Sequence, residues 1–157
     1  MRKQQAFTFI ELMVTLAIIA VLALIAVPLA QRSSQRIKEQ DLRIALREIR
    51  GGIDAYKRAA DQGRITLKPG ESGYPPSLAV LVDGIEDIHS PTHKKMYFLR
   101  KLPADPFFPD VSAEPESTWA KRSYASPANE PQEGDDVFDV YSMSTQTGSN
   151  GISYKDW

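Results

Sequence analysis

From Phe7 to Ala30 the sequence runs for 24 residues with a single charge, Glu11, and Leu12–Ala30 carries none. At about 1.5 Å per residue, a helix of that length reaches about 36 Å, enough to cross a hydrocarbon core of about 30 Å. The other reading of such a run, a buried core helix, fits less well, because core helices are usually shorter and keep a polar stripe. A transmembrane helix over residues 7–30 is therefore expected, followed by one exposed domain. The overall composition, 42% hydrophobic and 25% charged in 157 residues, resembles an ordinary soluble domain only because the greasy run and the polar remainder average out.

The remaining composition excludes more than it assigns. Zero cysteines rule out a disulfide framework, a thiolate metal site and a cysteine nucleophile. Two histidines and a net charge of -1 leave little for a histidine metal site or a basic nucleic-acid surface. His89 and His93 are spaced for one helix face, but Pro91 between them breaks that helix. No nucleophile elbow with triad partners and no glycine-rich phosphate loop after a strand is present, so a structural role is expected rather than an enzyme.

An export signal that is removed entirely has a basic start, an apolar stretch and then a small-residue cleavage site. Here the order is reversed. Met1-Arg2-Lys3-Gln4-Gln5-Ala6 is a short basic leader whose small residue precedes the apolar run, so cleavage after Ala6 keeps the hydrophobic helix on the mature chain. Lys3, Ala6 and Phe7-Thr8-Phe9-Ile10-Glu11-Leu12 together resemble the leader and N-terminus of type IV pilins and type II secretion pseudopilins. The resemblance implies cleavage by a prepilin peptidase at Ala6/Phe7 and N-methylation of Phe7. Alanine at position 6 departs from the usual glycine, but it is small enough for cleavage to survive.

Glu11 has a physical rationale of its own. A carboxylate near the membrane centre costs about 2.5–3.5 kcal/mol on insertion scales, so it calls for a partner. An amine at Phe7 and the positive end of a helix dipole would supply one, most readily from a neighbouring subunit. Alternatively, Glu11 sits near the headgroups and is merely tolerated.

Beyond the apolar run, Leu42, Ala45, Leu46, Ile49, Ile53, Tyr56 and Ala60 recur three or four residues apart among charged residues, which predicts an amphipathic helix over 31–63. Glu39 with Arg43 and Asp54 with Arg58 are spaced as i,i+4 pairs. Gly63 is a natural stop. Pro28 predicts a kink or local melting; in the pilin-like family a proline here lets the helix unwind on assembly. Gly51-Gly52 reads either as a second soft point or as room for a sheet to pack closely. Residues 31–60 hold eight Lys/Arg against four Asp/Glu, while 61–157 hold nine against fifteen. A basic stem under an acidic head lets subunits attract when staggered along a filament, or is simply solvated surface.

The head, residues 64–157, reads as small α+β. Ser77 is a candidate N-cap before Leu78 and Leu81, Met96–Leu102 leads into a Pro103-Ala104-Asp105-Pro106 turn, and Thr118–Ser126 and Val137–Ser144 read as strands around an acidic, proline-rich loop. Tyr74-Pro75-Pro76-Ser77-Leu78, Leu102-Pro103-Ala104-Asp105-Pro106 and Asp139-Val140-Tyr141-Ser142 resemble, in order, three landmarks of the G-type major pseudopilin of type II secretion. The fold this resemblance implies is α+β and type IV pilin-like, with a long N-terminal helix, transmembrane in its first half, packed on a small antiparallel sheet.

That resemblance also implies the rest of the biology. The chain would be a single-pass protein of the bacterial inner membrane with its head in the periplasm. It would polymerise with itself and minor pseudopilins on an inner-membrane assembly platform driven by a cytoplasmic secretion ATPase, to move proteins outward. A type IV pilin for adhesion or motility, or an anchored binding domain that never polymerises, are the alternatives. G-type subunits commonly hold calcium in their C-terminal loop; carried over, Asp136, Asp139, Ser142, Asn150 and Asp156 would contribute oxygens, although Ser144-Thr145-Gln146-Thr147 lacks a carboxylate expected there. Asp135-Asp136-Val137-Phe138-Asp139 is equally readable as a solvated strand entrance.

Overall fold

Helical backbone runs from Phe9 to Asp61 as one element, α1. The computed structural model describes residues 8–157, with side chains described throughout except at positions 25 and 27–32. The chain divides into two units, one ending at Ile37 and the other spanning Lys38–Trp157. In the first unit Leu12, Val14, Leu16, Ile18, Val21 and Leu22 on α1 are all exposed. Of the kink or local melting expected at Pro28, melting is absent: the backbone is helical through position 28.

Among the described residues, no helix is long and apolar enough to cross a membrane. The span expected over 7–30 includes Phe7, which lies outside the description, and positions 25 and 27–30, whose side chains do.

In the second unit α1 supplies the core. Leu42, Ala45, Leu46, Ile49, Ile53, Tyr56, Ala59 and Ala60 are buried along one face, as the three-and-four spacing predicts. Each buried leucine or isoleucine contributes about 1.5–3 kcal/mol. The helix ends where Gly63 adopts φ 69°, with Gly63 N–H donating to Ala60 O and Arg64 N–H to Ala59 O. This paired arrangement satisfies carbonyls the last turn would otherwise leave open, and glycine takes the left-handed backbone without a Cβ penalty.

The rest of the unit wraps that face. A short helix α2 (Ala79–Asp83) precedes β1 (Ile85–Glu86), which pairs antiparallel with β2 (Lys95–Met96). A 3-10 turn at Pro115–Thr118 leads into β3 (Trp119–Arg122), antiparallel to β4 (Asp139–Ser142), with Trp119 opposite Ser142 and Arg122 opposite Asp139. A last 3-10 turn, Tyr154–Asp156, closes the fold.

Three expectations change. Among the described residues the sheet is two separate two-stranded ribbons rather than one, and the strands are shorter than the apolar runs that predicted them. Ser77 does not cap α2: Leu78 holds the N-cap position without a side-chain cap, and the Leu78 N–H donates instead to Glu116, 38 residues away. Of the two readings of Gly51-Gly52, close packing holds at Gly52, but against a side chain rather than a sheet: a Cβ there would meet Leu99 Cγ at 3.0 Å, whereas Gly51 faces open space.

Candidate functional site

The N-terminal candidates occupy the start of α1. Ala6 and Phe7, the expected cleavage junction and methylation site, lie outside the described residues. Glu11 is described, and it is engaged locally. The Glu11 N–H donates to Thr8 Oγ1 at 3.3 Å, and the Glu11 carboxylate accepts from the Thr8 N–H at 3.4 Å and its hydroxyl at 3.5 Å. These reciprocal contacts form a capping box, which satisfies donors the first turn would leave open and places the carboxylate at the positive end of the helix dipole. Thr8-Phe9-Ile10-Glu11 fits the S/T-x-x-E pattern, so the signal for this role is present in the sequence. The carboxylate therefore has donors within its own chain, and a neighbouring amine would add to them rather than rescue an isolated charge. Around Glu11 the apolar side chains are open: Phe9 is 77% exposed and Ile10 71%.

Four of the five calcium candidates have partners of their own within the chain. Asp136 accepts from the Ser123 hydroxyl at 2.6 Å, the Tyr124 N–H at 2.9 Å and the Ser72 hydroxyl. Burial alone would raise its pKa, but these three donors outweigh that and hold it below the usual carboxylate value. Asp139 pairs with Arg50 Nε at 2.8 Å and faces Arg122 at 3.7 Å. The Ser142 hydroxyl donates to Asp105 at 2.5 Å, and Asn150 Oδ1 accepts from the Ile152 N–H at 3.1 Å. Asp156 sits in the closing 3-10 turn, exposed. Among the described residues no group of three or more His, Asp or Glu is placed to hold a metal. A calcium ion needs six to eight oxygens converging on one point, and these donor atoms serve four separate local networks instead.

The landmark segments of the head have a common structural task. The Val137 N–H donates to Pro75 O at 2.8 Å, which joins the Tyr74–Leu78 segment to the entrance of β4. Trp119 Nε1 donates to Pro103 O at 2.8 Å, and Asp105, 4% exposed, accepts from Ser142 on β4 and from the Phe107 N–H at 2.8 Å. Asp105 is buried yet paired, which is the condition under which a charged group is tolerated in a core. Sequence reading missed its role because the partner lies 37 residues away.

Arg50, at a half-buried position on α1, was also missed. It donates to Asp139 Oδ1 at 2.8 Å, Val140 O at 3.1 Å and Trp157 O at 2.9 Å, so one guanidinium ties α1 to β4 and to the last residue. The fork of donors on arginine suits such a three-way contact better than a lysine ammonium would. At the other end of the core, the Arg64 guanidinium hydrogen-bonds Asp87 and holds its carboxyl below the usual range.

Residues 1–27 match the family described as the Prokaryotic N-terminal methylation motif. The chain thus carries the N-terminal signal of a type IV pilin-like precursor, the class of protein that builds a pilus or pseudopilus. The motif brings with it prepilin peptidase processing, a methylated N-terminus, a membrane anchor and, in general terms, filament assembly. The long N-terminal helix and small antiparallel ribbons agree with an α+β, pilin-like fold. No curated protein and no solved structure matches the chain.

Proposed function

We propose that this chain is a structural subunit of the G-like pseudopilin kind, which polymerises into a periplasmic filament of a type II secretion system. It would be cleaved at Ala6/Phe7, methylated on Phe7, and held in the inner membrane by residues 7–30 until drawn into the filament. Minor pseudopilins, an inner-membrane platform and a cytoplasmic secretion ATPase would complete the machine, the ATPase supplying energy that a chain without a nucleotide site cannot. The chain itself performs no catalysis in this reading.

The observation that carries it is the coincidence of a methylation motif at residues 1–27 with apolar side chains exposed along the helix from Phe9 to Leu24. Exposed apolar surface of that extent is costly in water and marks a site that lipid or other subunits cover. The three head landmarks support the G-like assignment over an adhesive pilin, because each places at least one residue in the core of the head: Leu78, Asp105 and Val140.

The test is co-expression with a prepilin peptidase and a secretion assembly platform, followed by mass spectrometry and filament shearing. The expected result is a chain beginning at methylated Phe7 that enters filaments, and a Glu11→Ala variant that inserts in the membrane but stays out of them. Normal incorporation of Glu11→Ala would sink the assembly role given to that residue. An uncleaved leader with no filaments would favour an anchored, non-polymerising domain.

A further inference from the structure

The C-terminal segment folds back onto α1 around one buried carboxylate. Glu39, 4% exposed, accepts from the Ser149 N–H at 2.8 Å, the Ser149 hydroxyl at 2.5 Å and the Tyr154 hydroxyl at 3.0 Å. Three donors on an acceptor-only group answer the desolvation that burial imposes, and bonds to a charged acceptor are stronger than neutral ones. The aromatic residues of the segment complete the contact. Tyr154 stacks on Phe107 at 4.0 Å between ring centres and meets Trp157 edge-on at 5.0 Å, while the Arg43 guanidinium lies 4.4 Å from the Trp157 ring centre. Gly148 makes the fit possible: a Cβ there would stand 2.4 Å from Trp157 Cζ2.

Two of the carboxylates a calcium ion would draw on are meanwhile used within the chain. Asp139 is committed to Arg50, and Asp136 to Ser72, Ser123 and the Tyr124 amide. Binding calcium at Asp139 would mean surrendering a guanidinium that also holds Trp157.

We infer that residues 146–157 are held on α1 by a metal-independent clamp centred on Glu39, in the place where the resemblance to G-type subunits implies calcium. The clamp fastens this segment to α1 one residue beyond the start of the second unit at Lys38. The head therefore keeps its C-terminal segment docked whether or not calcium is present, and its readiness for assembly is set by the chain alone. This goes beyond the filament reading and stands or falls separately from it, since the readout is local protection in the unassembled protein.

The experiment is amide hydrogen exchange on the full chain in detergent, with calcium chloride alone or with EGTA, for the wild type, Glu39→Gln and Tyr154→Phe. Protection across 146–157 is expected to be the same in calcium and in EGTA. Glu39→Gln is expected to lower that protection by about tenfold or more, because it replaces a charged acceptor and adds an unmatched donor. Calcium is expected to restore none of it. Should Glu39→Gln fail to fold, Tyr154→Phe removes a single donor and is expected to lower protection several-fold with the core of α1 unchanged. Loss of wild-type protection in EGTA, recovery of either variant in calcium, or unchanged protection in both variants would overturn the inference.

Discussion

Asp105 is the residue whose loss should be felt most in the head. Asp105→Ala removes two hydrogen bonds to a carboxylate, from the Ser142 hydroxyl and the Phe107 N–H. Bonds to charged groups contribute about 1.5–3 kcal/mol each. Ser142 is fully buried but keeps one other partner, since its oxygen also accepts from the Ser144 N–H at 3.1 Å, so the lower half of the range applies to that contact. The expected total is about 3–4 kcal/mol, a large share of the roughly 5–15 kcal/mol that holds a domain together. For a unit of this size that is a fall in melting temperature of about 10–15 °C. The assay is thermal unfolding followed by near-ultraviolet circular dichroism, which reports the packing of Trp119 and Tyr154. A cycle with Ser142→Ala isolates the pair: coupling of about 1.5 kcal/mol or more is expected between Asp105 and Ser142. Destabilisation below about 1 kcal/mol, with no coupling, would refute the claim that this buried pair joins the Leu102–Pro106 segment to β4.

The adjacent glycines on α1 should respond in opposite directions. Gly51→Ala, with nothing near its new Cβ, is expected to stabilise by about 0.5–1 kcal/mol, whereas Gly52→Leu should destabilise by about 1–3 kcal/mol by displacing Leu99; chemical denaturation of both variants checks this. The depressed pKa of Asp136 sets a pH dependence. Below the ordinary carboxylate value of 3.8 the unfolded chain binds the proton before the folded one does, so the contribution of Asp136 is present above that value and lost as pH falls through the lower folded pKa. Denaturation midpoints taken from pH 6 downward should fall less steeply for Asp136→Asn than for the wild type, and equal slopes would show that its three donors do not favour the charged form.

How much of this was legible without coordinates depends on how far each interaction reaches along the chain. Leu42, Ile49, Ile53 and Tyr56 declared a buried helix face through their spacing, and Gly63 its end, because helix periodicity and capping involve neighbours within a few residues. The Thr8–Glu11 cap was equally readable, as an S/T-x-x-E pattern. Ser77 misled for the converse reason: a plausible local cap lost to Glu116, a donor's partner that no local rule places there. Glycine 52 could be recognised as special from sequence, but that Leu99 fills the space beside it could not.

The two-part character of this protein was already legible in the order of its residues. An uncharged apolar run, a small residue ahead of it and Glu11 at its start are consecutive, so their physical meaning follows from order and length alone. Tertiary structure decided what the charged residues of the head do. Glu39, Asp105, Asp136 and Asp139 could each have been surface charge or metal ligand as far as composition went, and Arg50 surface charge. Folding brought each against a partner from a distant segment, such as Ser149 for Glu39 and Asp139 for Arg50. A carboxylate's role is set by which donors reach it in space, and the chain folded so that its own hydroxyls, amides and guanidinium groups reached these first.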